Sequence, residues 1–119
     1  MRRVRIAAAG IALIGLAACA AEEPAALPSS VYFFLDAPLC SSIIPARFYI
    51  DGVQVGSDTF RVNLAPEHLT SRAFQTSAGQ HTLGARGSLG APVDYVWPDT
   101  TVELTVGGTL VHSLPLYCS

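Results

Sequence analysis

The chain is 119 residues long, half of them hydrophobic and only 13% charged, with seven arginines, no lysine, nine acids and three cysteines. That length allows one domain around one core. Nucleic acid is excluded as a partner, because phosphate neutralisation needs clustered basic side chains and these are sparse.

Arg2, Arg3 and Arg5 precede an unbroken run of sixteen apolar and glycine residues, 6–21, that contains Leu16-Ala17-Ala18-Cys19. The run falls short of the roughly 18 to 20 residues that cross a bilayer as a helix, so it reads as an export signal. The Leu-Ala-Ala-Cys string resembles the lipobox of bacterial lipoproteins. The resemblance implies cleavage after residue 18 and a mature chain beginning at Cys19, with a diacylglyceryl thioether and an acylated amine. Two or more acyl chains hold firmly where one anchors only marginally, so the N-terminus is expected to sit in a membrane. By resemblance to enterobacterial sorting, Ala20 after the lipid site implies the outer membrane, on its periplasmic or surface face, rather than the inner one. An ordinary secretory signal with an incidental cysteine is the alternative.

The chain therefore divides into a signal peptide (1–18), a lipidated N-terminus and proline-punctuated linker (19–30), and a folded domain (31–119). Beyond the signal, Arg47, Arg61, Arg72 and Arg86 stand against nine carboxylates, which leaves a net charge of −5. Cys40 and Cys118 are the cysteines that remain once Cys19 carries lipid, and beyond the inner membrane the compartment is oxidising. They are expected to pair, closing a loop from the start of the domain to its end. A metal-ligand pair or a reactive thiol is the competing reading, and no second ligand lies at metal-site spacing from either.

Residues 31–35 (Val-Tyr-Phe-Phe-Leu) form a wholly apolar, β-prone run that reads as a buried strand. Residues 46–50 are the next strand, with Pro45 at its start or on an edge. Asp51-Gly52 then separates two β-prone stretches and predicts a two-residue type I′ hairpin turn. Residues 59–64 alternate, placing Phe60, Val62 and Leu64 inward. Pro66 beside Glu67 allows one helical or 3₁₀ turn over 65–70. Residues 73–76 and 80–85 flank Ser77-Ala78-Gly79 as a second hairpin, residues 87–92 form a loop, and Tyr95-Val96-Trp97 forms a short strand. Residues 101–106, Gly107-Gly108 and 109–114 make a closing hairpin, with Val102, Leu104 and Val106 on one face. Seven or eight short strands at turn spacings of about ten residues argue for an all-β fold, an antiparallel Ig-like β-sandwich.

Four segments carry a further likeness: Tyr49-Ile50-Asp51-Gly52-Val53-Gln54-Val55-Gly56, Ala78-Gly79-Gln80-His81-Thr82-Leu83, the aromatics Tyr95 and Trp97, and the hairpin over 102–114. Together they resemble PEGA-type and related carboxypeptidase-regulatory-like modules of bacterial envelope proteins, over about two-thirds of the domain. The chain lacks the Pro-Glu-Gly-Ala string of that family and carries a longer insert at 65–71. The resemblance implies a non-catalytic module with no catalytic residues to transfer, and it gives His81 a packing or turn-bonding role.

A hydrolase needs a nucleophile, a base and an orienting acid. Ser88, in Arg86-Gly87-Ser88-Leu89-Gly90, has the wrong glycine spacing for a nucleophile elbow and reads as a loop residue. His81 is the one candidate base. His68 falls in a surface turn, and His112 shares a strand face with Leu110 and Leu114, which predicts partial burial. No histidine or acidic spacing suits a metal, so no metal and no cofactor is expected. Asp94, Asp99 and Glu103 lie near one another in sequence, and Pro98-Asp99 reads as a turn. Tyr95 and Trp97 lie on one strand face, so both are core residues or both form a ligand platform. The expected function is a lipid-anchored, non-enzymatic envelope module that presents a sheet face, an edge or loops to an envelope protein or polymer. The alternatives are a glycan or small-ligand binder using Tyr95 and Trp97, and a small hydrolase using a serine and His81.

Overall fold

A computed structural model describes residues 26–90 and 94–118. The expected signal peptide, Cys19 and most of the expected linker lie outside the described residues. Seven strands and no helix make up the described chain: β1 (Ser29–Asp36), β2 (Ser42–Ile50), β3 (Val53–Val62), β4 (Phe74–Thr76), β5 (Gly79–Ser88), β6 (Asp94–Leu104) and β7 (Thr109–Pro115). They form a three-stranded sheet, β4-β1-β7, facing a four-stranded sheet, β3-β2-β5-β6. This is the two-layer arrangement of a β-sandwich.

β1 is buried at every second residue, with Val31, Phe33 and Leu35 inward and Tyr32 and Phe34 half-buried. The apolar run thus builds a strand with one covered face rather than two. β2 runs through Pro45, which the ladder tolerates because pairing to β5 starts only at Ala46. Asp51 (φ 54°) and Gly52 (φ 80°) both adopt the positive φ of the predicted turn.

Several local expectations are corrected. No helical turn forms at 65–70. Instead Ala65-Pro66 is a cis peptide, and Arg61 and His68 bridge through two backbone hydrogen bonds of 2.9 and 3.0 Å. β3 ends at Val62, so Leu64 is exposed rather than inward. The turns at 77–78 and 105–108 are not hairpins, because each carries the chain from one sheet to the other: β4 pairs with β1, and β7 pairs with β1 in parallel. Period-2 patterning reports which residues face inward, not which strand is the neighbour. β6 runs without interruption through Pro98-Asp99, where the chain bulges opposite Leu83 to Ala85, so the expected turn there is a strand irregularity. Val106, expected inward, stands exposed in the turn.

The core is a sheet-bridging aromatic cluster. Phe33 stacks on Phe48 at 4.5 Å, Phe74 meets both rings edge-on or tilted, and Phe60 meets Phe48 edge-on at 5.9 Å. Cys40 and Cys118 are disulfide-bonded across 78 residues, which ties the loop after β1 to the chain's last described residue.

Candidate functional site

The Asp51-Gly52 turn and the start of β5 meet at the end of the sandwich where the chain enters β1. The positive φ of Asp51 turns its carboxylate towards β5. Its Oδ1 accepts the Thr82 amide at 2.9 Å, while the Thr82 carbonyl accepts the Asp51 amide at 2.7 Å. Its Oδ2 lies 2.6 Å from Nδ1 of His81, a side chain buried between the sheets. The other ring nitrogen, Nε2, lies 2.8 Å from the Ser77 carbonyl oxygen and 3.1 Å from Ser77 Oγ.

Acid, imidazole and hydroxyl thus stand in the order a hydrolytic triad requires. The hydrogen-bond partners differ from a triad's. Both ring nitrogens face acceptors, Nε2 the Ser77 carbonyl and Nδ1 the Asp51 carboxylate, an arrangement that favours the doubly protonated ring. The hydrogen bond to Asp51 raises the His81 pKa against the opposing effect of burial, and the Ser77 carbonyl adds to the rise. Asp51 is lowered, first by the Thr82 amide and then by His81. In that form the ring has no lone pair with which to take the Ser77 proton. The geometry is that of a clamp joining the β2–β3 turn to the β4–β5 turn. Sequence reasoning placed His81 in a turn-bonding role but missed Asp51 and Ser77 as its partners. The Asp-Gly turn was read for its φ angles, and its carboxylate was the overlooked signal.

The remaining candidates are separated in space. Ser88 closes β5 seven residues beyond His81, roughly 23 Å along the strand. His68 Nε2 lies 2.9 Å from Asp58 Oδ2. Burial pushes the Asp58 pKa up, but hydrogen bonds from His68 and the Thr59 amide outweigh it, so the net shift is downward. His112 meets the edge of Phe33 at 5.8 Å, and burial lowers its pKa. Trp97 is 2% exposed, with its indole N–H donating to the Pro115 carbonyl at 2.7 Å and Tyr95 packed against it at 5.0 Å. The indole is a core side chain, so the pair does not present a stacking platform. Among the described residues no three metal-ligating side chains converge.

A shallow groove of about 270 Å³ instead crosses the outer face of the four-stranded sheet. Gly84 forms its bare floor, because a side chain there would meet the Asp99 carboxylate at 2.6 Å. The Arg86 guanidinium lies 5.3 Å over the Tyr49 ring at its side. Neither Arg86 nor Asp99 has an ion-pair partner among the described residues.

No known family model matches the chain, and no curated protein matches it. What it does is therefore argued from its residues alone.

The two ends of the sandwich differ. The chain enters at the end bearing the Asp51-Gly52, 77–78 and 105–108 turns. The opposite end carries the disulfide and exposed apolar residues at Leu39 (77%), Tyr117 (85%), Ile43, Leu64 and Leu89, while Leu27, Val53 and Val106 are exposed at the entry end.

Proposed function

We propose that the chain is a lipid-anchored cell-envelope protein whose β-sandwich is a non-catalytic structural or protein-interaction module. The observation that carries this reading is the placement of Leu39, Ile43, Leu64, Leu89 and Tyr117 at the end away from the N-terminal tether. Large apolar side chains left in solvent at one end, Tyr117 among them, support an interaction surface there. The ten residue-to-residue steps from Cys19 to Ser29 reach at most about 35 Å, which holds the domain near the membrane with that end pointing outward. The lipobox string and the PEGA-like segments support the anchor and the non-catalytic module. The clamp of His81 between Asp51 and the Ser77 carbonyl supports the same reading.

The test uses the native lipidated protein. Mass spectrometry of the mature N-terminus should find an acylated Cys19. Crosslinking in intact envelopes should recover one stoichiometric partner, and Leu39→Asp with Tyr117→Asp should lose it without loss of fold. A free Cys19 thiol overturns the anchor, and retention of the partner by the double variant overturns the distal surface.

A second reading is a glycan or small-ligand binding lipoprotein. The groove at Tyr49, Gly84, Arg86 and Asp99 favours it, with one aromatic ring, one free cation and one free carboxylate in reach of a small polar molecule. The ligand class is the alternative expected from the sequence, and the groove on the sheet face supports it better than the buried Trp97. A glycan-array hit lost on Arg86→Ala and Asp99→Ala would establish it.

A further inference from the structure

Strand edges expose unpaired backbone groups and are normally blunted by charge, proline, bulges or covering chain. Three of the four edges here follow that rule. β3 is covered by the following segment, through the Arg61–His68 bridge and a 3.1 Å hydrogen bond from Arg72 Nη1 to the Ser57 carbonyl. β6 carries Asp94, Pro98, Asp99, Glu103 and a bulge, and β4 is only three residues long.

β7 has none of these devices before Pro115. Its run Thr-Leu-Val-His-Ser-Leu contains no acid, no arginine and no proline. The direction of its backbone groups is fixed by its two flanks. The Leu116 amide donates to Asp36 of β1 at 2.9 Å, so the even-numbered residues face β1. The Pro115 carbonyl accepts from the Trp97 indole at 2.7 Å, so the odd-numbered residues face away. Thr109, Val111 and Ser113 therefore point their N–H and C=O groups out of the sheet, and among the described residues nothing pairs with them.

Beside this edge, the open side of the sandwich between β7 and β6 holds a largely apolar slot of about 200 Å³ bordered by Trp97, Pro98, Thr100, His112 and Leu114. We propose that β7 is a docking edge for an extended peptide segment, which adds to the three-stranded sheet as a further strand and places one apolar side chain in the slot. Main-chain pairing supplies affinity in this mode and the pocket supplies specificity. Charge selects the occupant. Glu103 of neighbouring β6 borders a small pocket with Thr109 and Leu110 at the start of this edge and has no ion-pair partner among the described residues, so a peptide with basic residues flanking its apolar ones is matched to the site. A second copy docking edge to edge would instead bring two such carboxylates together. This surface is distinct from the distal apolar end, so either can fail without the other.

The test uses detergent-solubilised full-length protein and a synthetic heptapeptide with valine and threonine alternating between terminal lysines. Amide exchange at Thr109, Val111 and Ser113 should be fast without peptide and slow by roughly tenfold or more with it, while Leu110, His112 and Leu114 stay protected throughout. Val111→Pro removes one outward N–H and leaves the β1 ladder intact, so it should weaken binding at least about tenfold. Val111→Lys, which charges the edge, is the second variant should the proline variant not fold. A peptide with terminal glutamates should bind more weakly than the lysine form. No protection by the lysine peptide, or undiminished binding by folded edge variants, overturns the proposal. Protection that rises with protein concentration without peptide also overturns it, in favour of self-pairing.

Discussion

His81 and His112 are both drawn into the sandwich, and their surroundings move them in opposite directions from the ordinary 6.5: Asp51 raises His81, and burial lowers His112. The raised His81 adds stability that is complete below about 6.5 and is lost as pH rises through its folded value. Asp51, lowered from 3.8, adds stability that is present above that value and lost as pH falls through its folded one. His112 works against acidification, since its contribution falls once pH drops below 6.5 towards its folded value. Histidine titration by NMR should therefore find His81 above and His112 below the ordinary value. Asp51→Asn keeps a residue that tolerates positive φ but removes the charge, so it should bring His81 down and leave His112 where it is. An unmoved His81 would disprove the clamp. Two glycines give a second contrast. A Cβ on Gly56 would lie 2.5 Å from the buried Phe74 ring, whereas one on Gly84 would meet only the mobile tip of Asp99. Gly56→Ala should cost about 1–3 kcal/mol in urea denaturation, and Gly84→Ala less than about 1 kcal/mol.

The strands hold their order through one long closure. The bridge between Cys40 and Cys118 spans 78 residues, for which chain entropy assigns about 4 to 5 kcal/mol to restriction of the unfolded state. Cys40→Ala with Cys118→Ala should lower the unfolding free energy by that amount and steepen the urea slope, because the unbridged unfolded chain exposes more surface, and reduction of the parent protein should reproduce the loss. A much smaller effect would mean that the remaining contacts already keep the two ends together. This bridge was legible in the sequence because Cys40 and Cys118 are the two cysteines left once Cys19 is read as the lipid site. The Asp51-Gly52 turn was legible because positive φ has few bearers. The partners of β4 and β7 were not. Turn residues at 77–79 and 105–108 reverse a chain equally well within a sheet or between sheets, and the parallel β1–β7 pair joins residues about 79 apart in sequence. At the site, His81 was legible as a turn residue, while Asp51, Ser77 and the Tyr49–Arg86 groove depend on cross-strand register. The open edge of β7 was invisible for the same reason, since only topology says which strand lies last.

Both sheets share one core, so the molecule should lose structure as a unit. Phe33 and Phe74 come from the three-stranded sheet, Phe48 and Phe60 from the four-stranded one, and Phe48 touches the other three rings. Truncating it removes a ring at the centre of both layers, where neighbours on either side cannot close the gap together. Phe48→Ala should cost about 3–5 kcal/mol, comparable to the disulfide and a large part of what a domain this size has. Trp97 reports the same event from elsewhere in the core, buried and hydrogen-bonded to Pro115. Its emission should be blue-shifted and shielded from quencher in the folded protein. In urea, the loss of that emission and the loss of far-ultraviolet β signal should coincide for parent and variant alike, as two-state unfolding requires. Separate transitions would show that the sheets unfold independently, and an emission already red-shifted before unfolding would show that the indole is not buried.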